Sequence, residues 1–184
     1  MLNKKAAELG VIGGLVAIAY SVITYFLGVA FMVSWTGFFL SIVVYLTLDI
    51  TLTLRLKKLE LERISYGQAF LSVIIYMGIG GLLTLIFGIV LTKIIDPDLP
   101  QKIFDASVVF TRSFMEWMGA KQEQIDKSID KMKFDPNDYS YLKMTLQYLY
   151  RYVLYIIFAL IMAIFIKRTP PLFDTRPLDQ TPSN

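Results

Sequence analysis

One carboxylate, Asp49, lies inside a long apolar run, and it is the residue most able to do chemistry in this chain. Counting back from Arg55 at about 1.5 Å per residue puts it about 9 Å inside the run's boundary. An acid at that depth is costly to keep charged and is expected to face protein or water rather than lipid, where it could bind a proton or a cation. Ser72 and Tyr76, at similar depth on the next apolar run, are its candidate partners. The plainer alternative is a carboxylate near the surface, hydrogen-bonded to Thr53 or paired with a nearby Lys or Arg. Arg151 is the base of the last apolar run, about 24 Å from Lys167 along a helix. That depth separates it from Asp49. It is expected to snorkel outward as an interface anchor, or to pair with an acid beyond the run.

Other chemistry is thin. Cys and His are absent, which removes disulfides, thiolate nucleophiles, imidazole bases and nearly every transition-metal site. The carboxylates of Asp96-Pro97-Asp98 and Asp135-Pro136-Asn137-Asp138 lack the glycine and spacing of an EF-hand, and both fit helix caps. No phosphate-binding loop, nucleophile elbow or dinucleotide fingerprint is present. No catalytic residue, metal or cofactor is expected, and the chain reads as a non-enzyme. The basic stretch Arg55–Arg63 is explained by topology and anionic headgroups, so nucleic acid is not an expected partner.

The elements that must position Asp49 and Arg151 are membrane spans. Of 184 residues, 55% are hydrophobic and 18% charged, where a soluble domain carries about 25% charge. The expected fold is an all-α integral membrane protein: four transmembrane helices, with a short helical extracytoplasmic insert between the third and fourth. Residues 1–93 hold three spans and a basic loop at 55–68, residues 94–144 the insert, 145–166 the fourth span and 167–184 a Pro-rich tail. The first run, Leu9 to about Phe31, is too long for a signal-peptide core and is expected to be retained. Its small residues Gly10, Gly14, Ala17, Ser21, Thr24 and Gly28 recur every three or four positions, a seam that lets membrane helices approach closely. A turn around Val33–Thr36 leads to the second run, Gly37–Leu54. Ser65-Tyr66-Gly67-Gln68 is a capping box that fixes the third helix, Tyr66 to Lys93. Gly80, Thr84, Gly88 and Thr92 form a second stripe of small residues along it.

Basic residues set the orientation. The N-terminus, the 55–68 loop and the tail hold nine Lys and Arg against five acids, whereas residues 94–144 hold seven against nine. The positive-inside rule then puts both termini in the cytoplasm and the insert outside. Within the insert, Asp98 is expected as an N-cap with Pro100 in the first turn, opening a helix that runs to Met118 and stops at Gly119. Phe104, Phe110, Phe114 and Trp117 mark its broad aromatic face. A polar helix should follow over Lys121–Lys133. Asp135 and Pro136 should then open another helix; if it continues to Ile166 it is about 46 Å long, with its outer tyrosines forming an interface belt. A fifty-residue insert without Cys or metal ligands cannot build its own core. Its aromatic face is expected to lie on the membrane surface, on the tips of the spans or on another protein.

Ile64-Ser65-Tyr66-Gly67-Gln68-Ala69-Phe70, the exit Ile95-Asp96-Pro97, and Met118-Gly119-Ala120-Lys121-Gln122-Glu123-Gln124-Ile125-Asp126 together resemble domain of unknown function family 4199, small inner-membrane proteins of Bacteroidota. The resemblance runs over about residues 5 to 168 and rests on order and spacing. Ala120 departs from it, standing where a helix-capping Ser is expected. The resemblance implies four helices and a bacterial inner-membrane location, and lends no catalytic residue. The small-residue seams, the coreless insert and the tail lead us to expect a non-enzymatic accessory or scaffold subunit. Its partners would be the bilayer and other membrane subunits or further copies of itself. The alternative is a small oligomeric transporter or channel for an ion or solute, using Asp49.

Overall fold

The computed structural model describes residues 2–59 and 65–166. Residues 60–64 of the expected basic loop, and the Pro-rich tail at 167–184, lie outside the described residues. The long helices are α1 (Leu2–Leu27), α3 (Trp35–Leu59), α4 (Tyr66–Val90) and α7 (Tyr141–Ile166); the short ones are α2 (Val29–Val33), α5 (Leu99–Trp117) and α6 (Gln122–Lys131). Four segments are long and apolar enough to cross a membrane: Asn3–Leu27, Trp35–Lys58, Tyr66–Ile95 and Tyr141–Ile166. The fold is therefore all-α with four span-length helices, as expected.

The boundaries shift for local reasons. Gly28 has φ +91° and ψ 165°, a backbone conformation open essentially to glycine alone, so the first helix stops four residues before Phe31. Gly28 belongs to that break and not to the packing seam. Ser34 then caps α3, its hydroxyl accepting from the Gly37 amide at 3.0 Å. The capping box forms as anticipated: Ser65 Oγ accepts from the Gln68 amide at 3.3 Å, and Gln68 Oε1 accepts from the Ser65 amide at 3.1 Å. Past Val90 the third span widens into a π-helical turn, Leu91–Ile95.

Two caps in the insert differ from expectation. Asp98 stands at the N-cap position of α5, but its backbone is already helical and its carboxylate makes no capping bond. Asp135 does cap, accepting from the Asn137 amide at 2.8 Å, yet it opens only a 3₁₀ turn over Pro136–Tyr139. Ser140 is extended (φ −66°, ψ 152°) and accepts from the Lys143 amide at 3.4 Å, so a second start intervenes. The last helix is thus 26 residues, about 39 Å, and not one continuous rod from Pro136. Gly119, at φ +74°, ends α5 as its position implied.

The buried core sits at one end of the bundle. It joins Ala6 and Leu9 of α1, Leu52 and Leu56 of α3, Val73, Tyr76 and Met77 of α4, and Ala159, Ala163 and Ile166 of α7. Alternating helix directions bring these stretches to the same end. There α1 and α4 touch backbone to backbone: a Cβ on Gly10 would fall 2.7 Å from the Tyr76 carbonyl oxygen, and one on Gly14 would fall 3.2 Å from Gly80 Cα. Gly13 faces the side chain of Leu52 of α3 instead, whose Cδ1 would lie 2.7 Å from a Cβ there.

Candidate functional site

At the other end the four spans enclose space. A cavity of about 410 Å³ is lined by Ser21 of α1, Tyr45 and Asp49 of α3, Gly81, Thr84, Leu85 and Gly88 of α4, and Met144, Gln147, Tyr148, Arg151 and Tyr155 of α7. Below it a pocket of about 80 Å³ shares Tyr45, Asp49, Gly81, Thr84 and Tyr155, and reaches Leu52, Tyr76 and Met77 of the core. Asp49 therefore stands where the open half of the bundle meets the closed half. Gln147 also lines a third pocket, among Phe104, Ser107, Phe134, Asp135 and Tyr139 of the insert. Gln147 is thus shared by the bundle cavity and the insert pocket.

Small residues make this room. Thr84 turns its hydroxyl back to its own helix, donating to the Gly81 carbonyl at 2.8 Å. Ser21 does the same toward Ala17, at 2.9 Å. A Cβ on Gly88 would have nothing within 4 Å. Gly10, Gly14 and Gly80 thus form the close helix crossing and Ala17 is buried beside it, whereas Ser21, Thr84 and Gly88 line open volume. The expectation that both stripes pack along their length is corrected: the seams change role part-way up the bundle.

Asp49 and Arg151 line the same cavity but form no ion pair: they share a volume without being partners. The candidate partners of Asp49 are reassigned. Ser72 is buried, but its hydroxyl donates to the Gln68 carbonyl at 2.8 Å within its own helix. The Tyr76 hydroxyl pairs with Thr53 Oγ1 at 2.9 Å and reaches only the backbone oxygen of Asp49, at 3.5 Å. Thr53 is therefore satisfied by Tyr76 and not by Asp49. Among the described residues neither the Asp49 carboxylate nor the Arg151 guanidinium has a hydrogen-bond or ion-pair partner. Asp49 and Arg151, each without a protein partner among the described residues, thus line one cavity of mixed polar and apolar surface between the span-length helices. Such groups need water, a ligand or a change of protonation.

A model of the family described as protein of unknown function (DUF4199) matches residues 8–168, nearly the whole chain. The chain belongs to this family. No curated protein and no solved structure matches it. In this DUF4199 chain two tyrosines of α7, of which Tyr148 lines the cavity, take a place that the sequence did not announce. Tyr148 and Tyr152, expected in an interface belt, turn inward onto α4. Their hydroxyls donate to the Gly78 carbonyl at 2.9 Å and the Ile74 carbonyl at 3.4 Å. Gly78 and Gly81 admit those rings, since a Cβ there would lie 2.8 Å from Tyr152 and Tyr148 respectively. The signal was present as two further glycines on the third span, off the stripe that drew attention.

The aromatic face of the insert divides. Phe110 and Phe114 pack on Trp35 at the start of α3, with ring centroids 5.8 and 5.5 Å away, and Trp117 stacks on Phe114 at 6.0 Å. Phe104 pairs instead with Phe134, at 5.6 Å. Six residues at about 100° each carry Phe104 about 120° round the helix from Phe110, so the two cannot share one strip.

Proposed function

We propose that this chain is a non-enzymatic, multi-pass protein of the bacterial inner membrane that admits a small cationic or zwitterionic solute into its bundle from the insert side, as a small transporter or channel. One observation carries the reading: Asp49 and Arg151 face a single cavity lined by all four spans, and an apolar core closes that cavity at the end nearer the chain termini. A volume of about 410 Å³ lies in the range of small-molecule sites. The carboxylate at its floor suits a cationic group, and the guanidinium above suits an anionic one. Lys and Arg distribution supports cytoplasmic termini, which would turn the cavity's mouth to the periplasm. The absence of His and Cys supports a role without catalysis.

The accessory or scaffold reading loses ground for a physical reason. Gly10, Gly14 and Gly80 are used within the chain, and Trp35 covers part of the aromatic face that had lacked a partner. Reconstitution into proteoliposomes tests the proposal, with uptake of a panel of labelled amines and amino acids compared between wild type and Asp49→Asn. Uptake of at least one solute, lost in the variant at unchanged helicity, is the expected result. Equal uptake by both, or none by either, would sink it. Native mass measurement in mild detergent, showing a stoichiometric foreign subunit, would restore the scaffold reading.

A further inference from the structure

The strip Phe110, Phe114 and Trp117 follows the spacing i, i+4, i+7, which keeps three side chains on one side of a helix. Its charged residues Asp105, Arg112 and Glu116 lie on the opposite arc, and Lys102 on the flank. Arg112 Nη2 is 3.6 Å from Asp126 of the polar helix α6, which therefore covers the charged side of α5. On the aromatic side, Trp35 supplies only part of a lid. Trp35, Phe110, Ser113, Phe114 and Trp117 line a shallow apolar groove, and Trp117 is 82% exposed.

That groove is continuous with the lipid-facing side of a span. Trp35 opens α3 and stacks on Phe39 of the same helix, with centroids 5.9 Å apart. Phe38 and Phe39 are more than half exposed on a helix long and apolar enough to cross a membrane; in a bilayer their neighbours would be lipid chains. One aromatic surface therefore runs from the first turn of α3 onto α5. Tryptophan at the first turn of a span is the residue favoured at headgroup level. From this continuity we infer that α5 is an interfacial helix: its Phe110, Phe114 and Trp117 edge dips into the headgroup–acyl boundary of the bilayer and receives phospholipid chains in the groove. An amphipathic helix lying this way buries its apolar face about 5–10 Å into the boundary. The insert is then held at three places, by Trp35, by α2 and by the membrane itself. This inference is independent of the cavity and stands or falls without it.

The chain has only two tryptophans, Trp35 and Trp117, so its own fluorescence reads the outcome. Trp35→Tyr leaves Trp117 as the sole emitter and keeps an aromatic ring against Phe110 and Phe114. In vesicles of phosphatidylcholine brominated near the headgroup end of the acyl chain, Trp117 emission should fall as the brominated fraction rises, and aqueous iodide should quench it weakly. A second measurement uses the absence of cysteine: Ser113→Cys in the otherwise unaltered chain, carrying a nitroxide label, should be more accessible to oxygen than to an aqueous nickel chelate. Strong iodide quenching and chelate access would place the groove in water and overturn the inference. Protection from all four probes would put a protein there instead, a partner or a second copy, and would equally overturn it.

Discussion

Replacing Gly10 by valine probes the point on which the whole bundle closes. A Cβ at Gly10 would stand 2.7 Å from the Tyr76 carbonyl oxygen and 2.9 Å from Ile79 Cβ. The first of these neighbours is backbone and cannot rotate aside, so α1 and α4 must separate by several tenths of an ångström. Overpacking of this kind costs about 1–3 kcal/mol, and the two γ-methyls of valine place it in the upper half of that range. The better helix propensity of valine over glycine returns only about 0.3 kcal/mol. The expected net loss is about 2 kcal/mol, roughly a thirtyfold fall in the folded-to-unfolded ratio. Gly88→Val, on the stretch of α4 that faces open volume, is the internal control, because a Cβ there meets nothing within 4 Å. Reversible unfolding in mixed micelles, followed by helicity, would compare the two against wild type. If the Gly10 and Gly88 variants unfold together, the close crossing is not what holds the bundle shut.

Two further outcomes follow from the side chains around that closure and from the insert. Tyr76→Phe should destabilise by about 1–3 kcal/mol, because it removes the hydroxyl that meets the buried Thr53 Oγ1 at 2.9 Å. Adding Thr53→Val to it should recover part of the loss in the same unfolding assay, and a single variant as stable as wild type would contradict the pairing. Asp96, beyond the third span, is held below the ordinary carboxylate range first by its hydrogen bond with Lys102 and also by one from the Tyr25 hydroxyl at 3.2 Å. A carboxyl depressed in the folded state adds stability above its unfolded value, about 3.9, and loses it as pH falls through the lower folded value. The protection of the Leu99, Gln101 and Lys102 amides, taken relative to their intrinsic exchange rate at each pH, should therefore fall in acid, and Asp96→Asn should remove that dependence; an unchanged acid profile in the variant would refute it.

The spans were legible because twenty apolar residues in a row have few other fates, and the capping box at Ser65 was legible because it is a local bond pattern. What escaped was set by contacts distant in sequence or by single torsions. Ser140 breaks the last helix through its own extended backbone, and no run of apolar residues announces that. Phe104 looked equivalent to Phe110 until helical rotation separated them. Tyr148 and Tyr152 resembled a membrane-interface belt because tyrosine composition does not say which neighbour has the glycine that admits the ring.

Asp49 is the instructive residue. Its depth was readable, yet depth alone offered the wrong partners, because Ser72 and Tyr76 each satisfy themselves closer to home. Which groups share a cavity depends on where the helices stop touching. That boundary lies in the small residues: a stripe of Gly, Ala, Ser and Thr permits close approach and equally permits a gap. Gly10, Gly14 and Gly80 take the first option, and Ser21, Thr84 and Gly88 take the second. The same kind of sequence pattern therefore both closes the bundle at one end and leaves Asp49 and Arg151 facing open volume at the other.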